Sequence, residues 1–259
     1  MQPDMPSSSV VKTYYDGFLE SRMRNYRIHG NLRLDLAKEL LLSVVRPTDA
    51  VADIGCGIGI LAEAIAKANP RARVVGIDIS PANIEYARKT VRRRNVQFYQ
   101  ADITEQFSRL HEFSPTGYDI LALVDVIEHI PEAERPKLFS DLEGIAKPNA
   151  LLAITYPSPE YQRHLMAEKP EELQIIDNVI EIESLCREAA QSGWTLRLFK
   201  TVDVWLRGQY VHCIFGRCTE TIPLEPIKIN RWFRMISMAS RFLLRPYRLW
   251  YYRYQASRN

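Results

Sequence analysis

The chain has 259 residues, 46% of them hydrophobic and 25% charged, with a formal net charge of +3. That balance excludes a disordered chain and fits one globular domain with appendages. Its four cysteines, Cys56, Cys186, Cys213 and Cys218, form no C-x-x-C pair, which argues against a disulfide framework or a zinc site and for a reducing, cytoplasmic setting.

Residues 1–9 are rich in Pro and Ser and lack the basic and apolar regions of a signal peptide. No apolar run reaches the roughly 18–20 residues of a membrane span. Residues 1–31 read as an N-terminal lid segment, with Tyr14, Tyr15, Arg22, Arg24, Tyr26, Arg27 and His29 as its aromatic and basic face. The plain alternative is a solvated amphipathic helix. Leu32–Val45 repeats apolar residues at helical spacing until Arg46-Pro47-Thr48-Asp49 breaks it. Strand-like runs follow at Ala50–Ile54, Arg73–Ile77, Val96–Ala101, Tyr118–Val126 and Ala150–Tyr156. Helical stretches at Leu61–Ala68, Pro81–Arg94 and Glu132–Ala146 separate them, which predicts a doubly wound α/β domain with a mostly parallel sheet. After a helix over Glu183–Gly193 come Thr195–Val202 and Gln209–Arg217, too close together to be parallel. The domain is therefore bounded at residues 32–218.

Within it, Val51-Ala52-Asp53-Ile54-Gly55-Cys56-Gly57-Ile58-Gly59-Ile60 joins a short apolar strand, an acid and three alternating glycines. Glycines at a strand-to-helix turn let a ligand approach the backbone and the N–H groups of the helix start. A dinucleotide fingerprint is G-x-G-x-x-G, and here the third glycine comes one place early. A carboxylate at Asp53 would repel a pyrophosphate and attract the ammonium of a ligand bearing an amino acid. This pattern resembles the first motif of the class I S-adenosylmethionine-dependent methyltransferases, acid-x-Gly-x-Gly-x-Gly.

The resemblance implies a Rossmann-like sheet of seven strands with the last one antiparallel, and S-adenosylmethionine as the cofactor. Asp53, Gly55, Cys56, Gly57 and Gly59 would form its loop. Asp78, which closes the second strand, would accept the ribose hydroxyls with Ile79 beside it. Asp102 would accept from the adenine amino group with Ile103 against the ring, and Val124 would line the methyl end. Arg24 or Arg27 would meet the cofactor carboxylate.

The chemistry falls at Leu123-Val124-Asp125-Val126-Ile127-Glu128-His129-Ile130, where the fourth strand leaves the sheet. Methyl transfer to a hydroxyl requires alignment and removal of a proton, and an imidazole suits the second task. His129 is the candidate base, with Asp125 and Glu128 orienting substrate or capping a helix. Asp125-x-x-Glu128-His129 together with Ile154–Tyr161 resembles the ubiquinone-biosynthesis O-methyltransferases and the enzymes that methylate the terminal ribose of small RNAs. Both groups can hold a metal at an acid-x-x-Glu-His motif. Asp125, Glu128 and His129 would suit Mg²⁺ or Mn²⁺, but the first acid is Asp rather than Glu and the further His has no counterpart, only Gln174, Asp177 or Asn178. No metal is therefore assigned. The stretch 157–177 and Gly208–His212 also resemble glycan and natural-product O-methyltransferases, with His212 as a second polar contact.

The predicted function is O-methylation of a small-molecule, glycan or lipid-linked acceptor; N- or C-methylation is the alternative, and a non-catalytic cofactor-binding scaffold is the alternative from another class. Residues 219–259 form a basic, aromatic tail with eight Lys/Arg against two acids, so the remainder of the chain carries −3. If Asn230–Arg248 is helical, Arg231, Arg234, Arg241, Arg245 and Arg248 share one arc beside Trp232, Ile236, Leu243 and Trp250. Packing on the domain or in a homodimer, membrane-surface contact through residues 228–254, and nucleic-acid binding all remain open, the last least favoured.

Overall fold

A computed structural model of the chain describes residues 8–17, 20 and 23–217. Its contacts divide the chain into Met1–Glu220 and Thr221–Asn259. The tail over 219–259, Arg22 and the side chain of Arg24 lie outside the described residues. Among the described residues no helix is long and apolar enough to cross a membrane.

Seven strands form one sheet: β1 (Ala50–Ile54), β2 (Arg73–Asp78), β3 (Val96–Gln100), β4 (Tyr118–Val124), β5 (Ala146–Pro157), β6 (Trp194–Val202) and β7 (Tyr210–Arg217). Their order is β3-β2-β1-β4-β5-β7-β6, and β7 lies antiparallel to both β5 and β6. The predicted Rossmann-like architecture is therefore present, with the hairpin inserted at one edge.

Residue alternation explains why the sheet is covered on both faces. Val51 and Val74 point to one side, where they pack with α2 (Leu32–Val44), α3 (Ile60–Ala68) and α4 (Pro81–Thr90) through Leu41, Ile65 and Ile84. Ala52 and Val75 point to the other, toward α5 (Ser108–Phe113), α6 (Arg135–Ile145) and α8 (Ile182–Gln191), where Phe139, Leu142, Leu185 and Trp194 are buried. Burying an aliphatic side chain of this size contributes about 1.5–3 kcal/mol, so strands that are apolar on both faces demand helices on both.

Local signals place the elements around the site. Asn31 caps α2 by accepting from the Leu34 N–H, Ser80 caps α4 by accepting from Asn83, and Ser158 caps α7 (Pro159–Glu168) by accepting from Tyr161. The last of these helices, like α5, is not marked by the sequence pattern. α4 ends at Thr90 rather than Arg94, where three consecutive arginines follow a buried Val91. β4 ends at Val124, two residues earlier than predicted, because Asp125 takes a φ of 55° and turns the chain out of the sheet.

Candidate functional site

The carboxyl ends of β1, β2, β3 and β4 open on a cavity of about 340 Å³, the position where open α/β sheets bind ligands. Gly55, Gly57 and Gly59 all have positive φ (75°, 52° and 79°), so the turn that joins β1 to α3 needs glycine at each step. A Cβ on Gly55 would come within 2.4 Å of Val126 Cγ2, whereas one on Gly57 would meet no atom within 4 Å. Gly55 is thus fixed by packing, and Gly57 leaves open room beside the cavity it lines.

Asp78 lines the same cavity. Its Oδ2 accepts the Gly57 N–H at 2.8 Å, and its Oδ1 accepts from Ser80 N–H and the Asn83 amide. The carboxylate is therefore held rigid at the end of β2. Ile79, Asp102 and Ile103 continue the wall, and Asp102 Oδ1 accepts from the Thr104 N–H and hydroxyl at 2.9 and 2.7 Å. Cys56 and Val124 also line the cavity.

Asp53 and Gly59 do not line it among the described residues. The Asp53 carboxylate is buried and accepts the Ala62 N–H at 3.1 Å, tying β1 to the first turn of α3. Burial foremost, with Asp78 nearby, pushes its pKa up to about 7. The carboxylate expected to face a ligand's ammonium thus sits behind the cavity wall, turned toward the backbone of α3. Gly59 serves the fold too, since a Cβ there would sit 2.7 Å from the Phe98 ring.

The acceptor side is built at the end of β4. His129, in a 3₁₀ turn over Ile127–His129, faces the cavity. Its Nδ1 lies 2.6 Å from the Ile176 carbonyl oxygen and 3.1 Å from Asp177 Oδ1. Both are acceptors, so the neutral ring carries its proton on Nδ1 and leaves Nε2 with a lone pair. Burial opposes the charged ring, but Glu128, Asp177 and the Ile176 carbonyl outweigh it and hold the pKa above the usual histidine value. Glu128 is buried behind the ring, with Oε1 3.9 Å from Nε2, and burial first, then Asp125, raises its pKa. The loop that supplies Asp177 is stitched on by Asn178, whose backbone and side-chain N–H groups both donate to the Glu128 carbonyl.

Asp125 belongs to a different partnership. Its carboxylate lies 3.0 Å from Arg33 Nη1 and accepts from Thr155 Oγ1 at 3.1 Å. Arg33 also reaches the hydroxyls of Tyr210 and Tyr26, at 3.3 and 3.2 Å. Burial works against the guanidinium charge, and Asp125 and the two tyrosines more than restore it. Asp125, Glu128 and His129 thus do not converge on one point, and among the described residues no group of three or more His, Cys, Asp or Glu is arranged to hold a metal ion.

Three further placements differ from the sequence reading. Arg27 is engaged with Glu63 at 2.7 Å and the Ile58 carbonyl, so the described cation that lines the cavity is Arg33 instead. His212 is buried within β7, opposite Thr155 of β5, where burial and Lys200 lower its pKa to about 4; it is a core residue and not a cavity contact. Asp177 reaches His129 rather than standing alone as a spare ligand. Arg33 had one local signal: a cation in the first turn of a helix opposes the helix dipole and asks for a reason.

Residues 51–149 match a family model described as a methyltransferase domain. The chain is 31% identical over 158 residues to "Ubiquinone biosynthesis O-methyltransferase, mitochondrial" of Schizosaccharomyces pombe, covering 57% of this chain and 52% of that protein. It is 28% identical over 187 residues to "Trans-aconitate 2-methyltransferase" of Methylobacterium nodulans, covering 70% and 68%. The chain spans about half the length of the first of these relatives. The fold matches that of magnesium protoporphyrin IX methyltransferase from Synechocystis with bound SAH, with a TM-score of 0.64, 17% identity, and coverage of 82% of this chain and 100% of that one.

Proposed function

We propose, from the premise that this chain carries a class I S-adenosylmethionine-dependent methyltransferase domain, that it methylates a hydroxyl oxygen of a small-molecule, glycan or lipid-linked acceptor. The observation that carries the oxygen assignment is the His129–Asp177 pair: an imidazole at the cavity wall with Nδ1 committed at 3.1 Å and Nε2 left to take a proton.

The cavity suits the methyl donor on features of its own. The open room at Gly57, the rigid carboxylate of Asp78 and the Asp102–Ile103 wall match a loop-bound nucleoside, a ribose diol and an adenine edge. Arg33, which lines the cavity where Arg27 does not, would be the cation for the donor's carboxylate. When bound, S-adenosylmethionine supplies an electrophilic methyl group.

The residues of this chain then have three tasks. His129 Nε2 accepts the proton of the acceptor hydroxyl, and Asp177 stabilises the imidazolium that results. Asp125, fixed by Arg33 and Thr155, keeps the β4 end in its left-handed turn, so that Val124 and His129 hold their places around the reacting centre. Tyr15, whose ring centroid lies 6.1 Å from that of His129, brings α1 (Ser8–Asp16) over the site. That helix is anchored by Asp16, which accepts from the Ser80 hydroxyl at 2.5 Å, and it screens the site from water.

A screen of quinol-like, phenolic, glycosidic and RNA acceptors with methyl-labelled donor tests the reading. Label recovered as an oxygen ether or ester supports it. Label found only on nitrogen or carbon overturns the oxygen assignment, and absence of any donor binding overturns the enzyme reading.

A further inference from the structure

We propose that the edge of the domain beside Tyr210 docks on an anionic lipid surface. Two chain segments meet there, joined by the Arg33 to Tyr210 hydrogen bond. One runs from Ile28 into the first residue of α2 and exposes Ile28 at 67% and Leu32 at 48%. The other is the β6–β7 hairpin, which exposes Trp205 at 63% and Leu206 at 53%.

The hairpin is built to present those side chains. Gln209 is buried, and its Oε1 accepts both the Trp205 and the Leu206 N–H, at 2.9 and 3.1 Å. The backbone of the tip is therefore satisfied from inside, and its two largest apolar groups are turned out. A lone exposed apolar residue needs no explanation, but indole, leucine and isoleucine side chains exposed on two segments linked by one hydrogen bond do.

Charge identifies the occupant. Arg207 at the tip and Lys200 on β6 are exposed and have no carboxylate partner among the described residues. The acid of the tip, Asp203, is engaged with the Gly208 N–H. Trp and Leu between unpaired cations is the composition of a segment seated at the headgroup level of an anionic bilayer, where the cations meet the lipid phosphates. The placement has a consequence for access. Tyr26 and Arg33 line the cavity while Ile28 and Leu32, beside them in the chain, stand outside, so docking would set the cavity at the lipid surface. Docking of this edge would not depend on methyl transfer.

Flotation of the full chain with phosphatidylcholine vesicles, with and without phosphatidylglycerol, tests it. The chain should float with the anionic vesicles and much less with phosphatidylcholine alone. Replacing Trp205→Ser and Leu206→Ser together should raise the lipid concentration for half-flotation about tenfold or more, with an unchanged melting curve by circular dichroism. A parent that fails to float, that floats equally on both vesicles, or that is matched by the double variant overturns the proposal. So does self-association of the parent that the double variant abolishes, which would assign the surface to a second copy of the chain.

Discussion

Nδ1 of His129 lies 3.1 Å from Oδ1 of Asp177, and the loop that carries the acid is bound to the histidine's own 3₁₀ turn through Asn178. One histidine edge is thereby fixed by the fold, and the other is the one the proposed reaction would use as base.

The pair sets a pH dependence. The carboxylates around His129 favour its protonated form, so its pKa stands above the usual histidine value. Nε2 is a base only after that proton leaves, and turnover is expected to rise with pH through the raised pKa and then level. Asp177→Asn removes a charge that favours imidazolium, so the rising limb should move to lower pH. His129→Gln should lower turnover by about 10²–10⁴-fold. Initial rates across neutral pH measure both, and a limb unmoved in Asp177→Asn would separate the acid from the base.

Asp78 is the residue on which donor affinity should depend most. In the proposed role Asp78 would accept the ribose hydroxyls, and losing hydrogen bonds of about 1.5–3 kcal/mol each means that Asp78→Ala should weaken S-adenosylhomocysteine binding more than tenfold. Calorimetry reads this directly. Undiminished affinity would place the ribose elsewhere.

Arg33 and Asp125 should behave as a buried pair, their side chains being 18% and 9% exposed. Arg33→Met leaves the Asp125 carboxylate without its cation and should cost about 3–5 kcal/mol of stability. Arg33→Met combined with Asp125→Asn should recover most of that loss in denaturant unfolding. Additive losses in the double variant would show that the two groups are not coupled.

Asp53 carries a stability dependence of its own. Its pKa rises from 3.8 unfolded to about 7 folded, so between those values the native state holds the proton more tightly. The stabilisation is complete below the unfolded pKa and is lost as pH rises through the folded one. Asp53→Asn keeps an acceptor for the Ala62 N–H and should flatten this loss, a difference on the order of a few kcal/mol across the window. Unfolding midpoints at mildly acidic and mildly alkaline pH test it, and parallel curves would count against it.

What was legible in the sequence is what short-range rules govern. The apolar run of β1, the cap at Ser80 and the glycines after Asp53 all act within a few residues, and the alternation of strands with helices marks the doubly wound class, whereas the helix capped by Ser158 had no such signal. Strand ends were less legible. Nothing local announces that Asp125 adopts a φ of 55°, because its reasons are Arg33 and Thr155, brought in from other elements.

By itself, then, the sequence determined the α/β sheet, the glycine turn after β1, and the stations of Asp78, Asp102 and His129 beyond strand ends, since position along a strand fixes which edge of the sheet a residue reaches. Only the tertiary structure decided who partners whom. It turned Asp53 inward to Ala62, gave the cavity's cation to Arg33 rather than Arg27, joined Asp177 to His129, and left Trp205 and Leu206 facing water. Ion pairing and exposure depend on distances between segments remote in the chain, and those distances exist only once the sheet has formed.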